Sequence, residues 1–388
     1  MQTIFWVSFF IIFYTYVGYG IVLFIIVKIL RIFRKKQEFD PNYALPSVTI
    51  VVAAYNEEYC IEEKIANTLS LEYPQDKVKY IFITDGSTDT TPEIVSKYAS
   101  IQLMHQPERT GKIVAVHRAM QEVKTEVVVF TDANTLLNKK ALLNICRHFQ
   151  DLSVGAVAGE KRVQIDDSGD ATAGEGFYWK YESKLKAWDS ELFSVVGAAG
   201  ELFSVKTSLY IPVPVDTLLD DFMISMLIAE KGYRIVYEPD AYATENASAN
   251  TKEELKRKIR IAAGGIQSFL RLFSLLNPLK HPILSFQYLS HRILRWTITP
   301  FLMIFCFLLN WYLVLAFEGD IKYLLVLFGQ VLFYGFAMLG WIMQSRSIKV
   351  KIFFIPYYFC MMNYAVFAGI KRYLFSSQSV LWEKAKRK

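Results

Sequence analysis

From Ile4 to Val27 the chain runs 24 residues without a charge, and Lys28, Arg31, Arg34, Lys35 and Lys36 follow at once. At 1.5 Å per residue, that length crosses the hydrocarbon core of a bilayer as one helix. The basic cluster assigns the carboxyl side of the helix to the cytoplasm, because flanking Lys and Arg set orientation. A cleaved leader fits poorly: the charges follow the apolar core, and no small-residue cleavage site accompanies it.

Near the other end, the apolar stretches 296–317 and 321–343 are joined only by Glu318, Gly319 and Asp320. So short a link predicts a tight helical hairpin with its acidic tip outside. Arg292 and Arg295 precede the pair, and Arg346, Lys349 and Lys351 follow it, as the same charge rule requires. A last apolar stretch, 352–370, is long enough to cross, but it carries Pro356, Asn363 and three tyrosines. A crossing would also leave Lys371, Arg372 and the basic 383–388 tail outside, so a helix lying in the interface stays equally open. Three crossings are expected beyond that ambiguity.

The chain is 53% hydrophobic, and the excess is concentrated at its two ends. Its net charge of +6 collects beside the apolar segments, which points to a membrane surface and away from nucleic acid. Cys60, Cys146, Cys306 and Cys360 form no C-x-x-C pair, which excludes a disulfide framework and a zinc pattern and fits a reducing compartment. The expected division is an anchor with basic flank at 1–36, a cytoplasmic domain at 37–277, and an interfacial segment with the hairpin and final helix at 278–388.

Within the middle, short β-branched runs alternate with helical patterns, the signature of a parallel-stranded α/β domain. Val48–Ala54 reads as a buried strand that ends at Tyr55-Asn56-Glu57. Val78–Thr84 is the next and ends at Asp85-Gly86-Ser87-Thr88-Asp89; 126–131 is another and ends at Asp132-Ala133-Asn134. Polar residues at the carboxyl tips of such strands are where open α/β sheets bind ligands. Tyr55 offers a flat face, Asp85 offers acceptor oxygens, and the i, i+2 oxygens of Asp132 and Asn134 suit a hard divalent cation. Each feature alone has a plainer reading as turn former, helix cap or packing. It is their order at successive strand tips that selects a binding site.

The runs Val48-Thr-Ile-Val-Val-Ala-Ala-Tyr-Asn-Glu-Glu, Ile83-Thr-Asp-Gly-Ser-Thr-Asp, Gly111-Lys112 and Phe130-Thr-Asp-Ala-Asn resemble the family 2 inverting glycosyltransferases of GT-A fold. The likeness covers roughly residues 46 to 275 and is nearest to the membrane branch that includes cellulose, hyaluronan and poly-N-acetylglucosamine synthases. The resemblance implies donor contacts at Tyr55, Glu57, Asp85, Lys112, Asp132 and Arg260. It implies a metal, Mn2+ or Mg2+, at Asp132 and Asn134, with Asn replacing the second Asp of the D-x-D pattern. Glu175–Glu182 resembles the helix after that strand, and the loop at Gly197–Gly200 resembles the one beneath the acceptor. Leu219-Asp220-Asp221 aligns with T-E-D, making Asp221 the general base and placing Gly200, Asp220 and Arg257 on the acceptor side. Of the Q-x-x-R-W motif only Arg260 matches; Arg257 stands for Gln and Ile261 for Trp, which leaves long-chain processivity unsupported.

The resemblance therefore implies a multi-pass plasma-membrane enzyme with its catalytic domain in the cytoplasm. It would transfer sugar from a nucleotide-diphosphate donor, with UDP expected, to a glycan or lipid-linked glycan with inversion, in envelope polysaccharide synthesis. Membrane lipids, and a partner subunit for export, are its implied partners; nucleic acid is not. Two rivals stand beside it: a polyprenyl-phosphate sugar transferase, and a non-catalytic membrane scaffold with a degenerate transferase domain.

Overall fold

The computed structural model describes residues 1–34, 39–164, 172–246, 250–345 and 350–375. Lys35, Lys36, Arg346, Lys349 and the 383–388 tail, all used above for orientation, lie outside the described residues, as do the side chains of Glu175–Tyr178.

Eight strands form one mixed sheet: β1 Val48–Ala54, β2 Val78–Asp85, β3 Gln102–Gln106, β4 Val127–Asp132, β5 Leu136–Leu137, β6 Val154–Gln164, β7 Leu202–Lys206 and β8 Arg234–Asn246. Their spatial order is β3-β2-β1-β4-β7-β6-β8-β5. β1 lies between β2 and β4, parallel to both, and every one of its seven residues is buried. That fits its near-continuous β-branched and apolar run, in which the one polar residue, Thr49, is also buried and bonds to Thr125. The direction reverses at β4–β7, which pair antiparallel. The carboxyl ends of β1, β2 and β4 therefore open on one side, beside the loop that enters β7.

The helices that matter for the site are α1 Gln2–Phe33, α2 Ile61–Leu69, α3 Lys112–Glu122, α4 Thr172–Leu192, α5 Asp220–Glu230 and α6 Thr251–Arg271. They are followed by α7 over 282–296, then α8 Thr299–Ala316, α9 Ile321–Ser345 and α10 Lys351–Phe375. α1, α8, α9 and α10 are long and apolar enough to cross a membrane. The stretch left open above, 352–370, is thus part of one 25-residue helix that contains Pro356. α10 lies along α6: a β-carbon on Gly369 would come within 2.6 Å of the Ala262 side chain and 2.8 Å of Ala263 backbone. Only a glycine admits so close a helix crossing.

Two π-helical stretches face one another, Tyr14–Gly18 in α1 and Leu289–Ile293 in α7. Each inserts a residue into the helical ladder and so re-aims its side chains. The Tyr14 hydroxyl meets Ser290 Oγ at 2.8 Å, Thr15 meets Thr299 at 3.0 Å, and Tyr16 donates to Asn363 Oδ1 of α10 at 2.5 Å. Beside them lies a buried ionic knot. Glu182 of α4 receives Arg292 at 2.7 Å and Arg295 at 3.1 Å, while the His291 ring is clamped between Glu182 and Asp189. Tyr19 of α1 donates to Asp189 as well. Burial works against the charge on Glu182, yet Arg292, His291 and Arg295 outweigh it and hold its carboxyl well below the usual range. The knot fastens α1 to α4 and α7.

Candidate active site

At the tip of β1, Asn56 takes a left-handed conformation with φ 52°, which Asn tolerates better than most residues. Its side chain accepts from Thr88 N at 2.8 Å and its own N–H donates to Ser87 Oγ at 3.1 Å, tying the tips of β1 and β2 together. Tyr55 projects from this turn with the Arg109 guanidinium 3.8 Å over its ring. Glu57 is buried, donates its N–H to Thr91 Oγ1 at 2.8 Å and lines the central cavity.

Asp85, expected as a donor contact, does not line that cavity. Its carboxylate accepts from Thr110 N at 3.0 Å, Thr110 Oγ1 at 2.7 Å and Gly111 N at 2.7 Å. It clasps the loop that precedes α3, and Gly86 makes the clasp possible: with φ 67°, a β-carbon there would lie 2.5 Å from Arg109. The clasped loop lies between Arg109 and Lys112, which both line the cavity.

Lys112 Nζ lies 2.8 Å from Asp132 Oδ1 and 3.9 Å from Asp220 Oδ2. Burial disfavours its charge, but Asp132, Asp220 and Asp221 together hold its ammonium above the ordinary range. Two residues past Asp132, Asn134 Oδ1 is buried and accepts no hydrogen bond among the described residues. A buried acceptor left unpaired costs about 1–3 kcal/mol, so its position calls for a ligand.

Opposite stands the loop 197–200. Gly197 has φ 85° and sits so close to the Phe222 ring that a β-carbon would overlap it. Ala198 N donates to Ser225 Oγ of α5 at 2.9 Å. The loop is therefore seated on the helix opened by Asp220 and Asp221, and Gly200 faces the Asp221 carboxylate. Desolvation and the neighbouring Asp220 charge push the Asp221 carboxyl up to about 7, against the pull of Lys112.

From α6, Arg260 lines the same cavity. Arg257 also lines it, but it is committed to carboxylates: Glu201 at 3.2 Å, Glu245 at 3.7 Å and Glu254 at 3.7 Å. Lys161 reaches Glu201 too, at 2.6 Å. These cations overcome burial and hold the Glu201 carboxyl far below its usual range.

The cavity encloses about 1000 Å3 and gathers Tyr55, Glu57, Lys112, Asp132, Asn134, Gly200, Asp220, Asp221, Arg257 and Arg260 in one space. It also holds residues that sequence reasoning passed over. Arg109 and the indoles of Trp179 and Trp296 line it; Trp296 lies flat on Gly265, whose β-carbon would stand 2.7 Å from the ring. Its far wall comes from the apolar helices: Tyr16 and Val17 of α1, with Tyr358, Phe359 and Met362 of α10.

Residues 49–210 match the family model described as glycosyl transferase family 2. The poly-β-1,6-N-acetyl-D-glucosamine synthase of Staphylococcus aureus is 27% identical over 261 residues, which span 64% of this chain and 62% of the relative's length. The β-monoglucosyldiacylglycerol synthase of a Nostoc species is 31% identical over 168 residues, 41% of this chain and 34% of that one. Among solved structures, a mannosyltransferase from Pyrobaculum calidifontis, determined with GDP-Man and Mn2+, aligns over 96% of this chain and 99% of its own at TM-score 0.71 and 24% identity. The strand-tip motifs, the sheet order and these likenesses agree: residues 49–210 carry a glycosyl transferase family 2 domain, set in a sheet of GT-A fold beside apolar helices that could span a membrane.

Proposed function

We propose that this enzyme transfers a sugar from a nucleoside-diphosphate sugar, UDP-linked by expectation, to the hydroxyl of a lipid-linked glycan, with inversion, at the cytoplasmic face of a membrane. The observation that carries the reading is the single cavity. It gathers Asp132, Asn134, Lys112, Arg260 and Asp221 in one space and runs on to residues of α1 and α10.

Tyr55 and Arg109 would stack and hold the base and ribose, and Glu57 would border them. Lys112 and Arg260 would neutralise the diphosphate, a role suited to fixed cations in a partly dry site. Asp132 and the unpaired Asn134 Oδ1 supply two hard oxygens for a divalent cation, leaving its other positions to water and phosphate. Among the described residues no group of three His, Cys, Asp or Glu is gathered for a metal, so the fit is to a cation held largely by the donor. Such a cation, Mn2+ or Mg2+, supplies Lewis acidity toward the departing diphosphate.

Asp221 would take the proton of the acceptor hydroxyl as that oxygen bonds to the anomeric carbon and the bond to the diphosphate breaks on the opposite face. A base raised to about 7 is matched to neutral pH. Gly200, with no side chain, lets the acceptor approach that carboxylate, and the Asp220 charge raises its proton affinity. The apolar and aromatic wall at Tyr16, Tyr358, Phe359 and Met362 favours an acceptor with a lipid portion over a free sugar. A phosphate acceptor is disfavoured, because it needs no base and would meet two carboxylates. Positive charge after α1 would keep the sheet domain in the cytoplasm, with α1, α8 and α9 as crossings and α10 completing the membrane face.

Nucleotide release from the full-length protein in membranes, offered a panel of UDP-, GDP- and TDP-sugars with manganese and a lipid extract, tests the reading. Release with one donor, lost in Asp221→Asn, is the expected result. No release with any donor overturns it.

A further inference from the structure

Lys64 is the third residue into the apolar face of α2 after Ile61, and it is fully buried. Its ammonium meets no carboxylate within ion-pair distance among the described residues. It donates to Thr131 Oγ1 at 2.9 Å, Thr135 O at 2.7 Å and, more weakly, Thr135 Oγ1 at 3.4 Å. A buried amine without a counter-ion is costly, and burial accordingly draws Lys64 down to about 7. Packing alone would be served better by an apolar residue at this position. What the amine adds in return is the hydrogen bonds it donates to Thr131 and Thr135.

Those hydrogens reach both sides of the cavity at second hand. Because Lys64 donates to the Thr131 hydroxyl, that hydroxyl must send its own proton elsewhere, and Glu201 O accepts it at 2.9 Å. Thr135 Oγ1 likewise donates to Asp132 O at 2.9 Å, and the two hydroxyls lie 3.1 Å apart. One chain of hydrogen bonds thus runs from the Asp132–Thr135 turn, which holds the candidate cation oxygens, to Glu201, the neighbour of Gly200 at the candidate base. Thr131 and Thr135 are both buried, so water does not compete for these bonds.

We propose that Lys64 is a positioning residue that fixes the Asp132–Asn134 turn against the Gly200–Glu201 turn, and so sets the distance between donor phosphates and base. The proposal rests on the function proposed above, but its test separates the two. Lys64→Met keeps the length of the side chain and removes the donors. In the full-length protein in nanodiscs, amide hydrogen exchange is expected to quicken at 132–136 and 199–202 together, while the rest of the sheet exchanges as in wild type. With any donor that wild type turns over, kcat is expected to fall about tenfold with little change in the donor KM, the pattern of lost transition-state positioning. Exchange unchanged in either turn overturns the proposal, as does general loosening of the sheet with kcat per folded molecule retained. The exchange result stands whether or not wild type releases nucleotide, so failure of the functional reading shows separately.

Thr135→Val and Thr135→Ser serve if Lys64→Met does not fold. The valine is expected to reproduce the local loosening, and the serine, which keeps the hydroxyl, to stay within about twofold of wild type. Valine and serine behaving alike would overturn the proposal.

Discussion

An oxygen of Asp221 stands 3.3 Å from where a β-carbon on Gly200 would be, with Lys112 Nζ at 3.6 Å from the same point. The gap is the width of a glycine and no more. Gly200→Ala would press a methyl group on the carboxylate just where the acceptor hydroxyl must arrive. Acceptor-dependent transfer should fall about tenfold, equivalent to ~1.4 kcal/mol, while calorimetric donor affinity stays near that of wild type. Full turnover in this variant would argue that the acceptor approaches from elsewhere.

The Asp221 carboxyl, raised to about 7, predicts a rate that climbs with pH through that region, because only the ionised form can accept a proton. The stability consequence has the opposite sign. An acid whose folded value lies above its unfolded value is no burden while protonated in both states, at pH below about 4. It costs stability progressively as pH rises through the folded value. Asp221→Asn should therefore abolish transfer and yet raise the melting temperature by a few degrees at pH 8, with little change at pH 4. A melting temperature lowered at pH 8 would contradict the assigned environment.

Asn134 supplies an unpaired oxygen but no charge. Asn134→Asp should tighten manganese binding about tenfold, in line with the added carboxylate, and Asn134→Ala should weaken it. Manganese electron-spin resonance with the nucleotide present would read both. Equal affinities in all three proteins would remove residue 134 from the cation site, and undiminished turnover in EDTA would remove the cation.

Glu182 neutralises Arg292 and Arg295 inside the knot that joins α1, α4 and α7. Glu182→Gln leaves those cations buried and should cost about 3–5 kcal/mol. Because the folded carboxyl sits far below its ordinary value, the stability it contributes is present near neutrality and is lost as pH falls through the acid range. The wild-type and variant unfolding midpoints should therefore converge toward low pH. A constant gap from pH 7 to pH 3 would count against the ionic account.

Much of this was legible in the chain because the signals are local. A seven-residue run rich in β-branched residues and without alternation reads as a strand covered on both faces, and β1 is that strand. Tyr55, Asp132 and Asn134 follow from sitting at strand ends. Asp85 was placed correctly in the fold, yet its partners are Thr110 and Gly111, a loop whose return to the β2 tip no local pattern announces. The same loop brings Arg109 onto Tyr55. Lys64 did leave a trace: it shares a helical face with Ile61, Ile65 and Thr68, where a lysine is out of place. The wall from α1 and α10 left none, since composition says how long an apolar helix is but not what its inner side touches. Ile261 stands where the resemblance expects an acceptor-stacking Trp, and Trp179 and Trp296, distant in sequence, line the cavity instead.

Gly369 rests on Ala262 and Ala263 of α6, within one turn of Arg260. On the proposed placement, α10 is immersed in lipid along one side and welded to the phosphate-binding helix along the other. A bilayer thinner or thicker than the helix is answered by tilt, at a fraction of a kcal/mol per Å of mismatch. Here that tilt has little slack to absorb it, since only the Ala262 methyl group stands between the backbones where Gly369 crosses. The enzyme would then work as a gauge of membrane thickness, its rate rising and falling with acyl-chain length even when donor, acceptor and metal are all in excess.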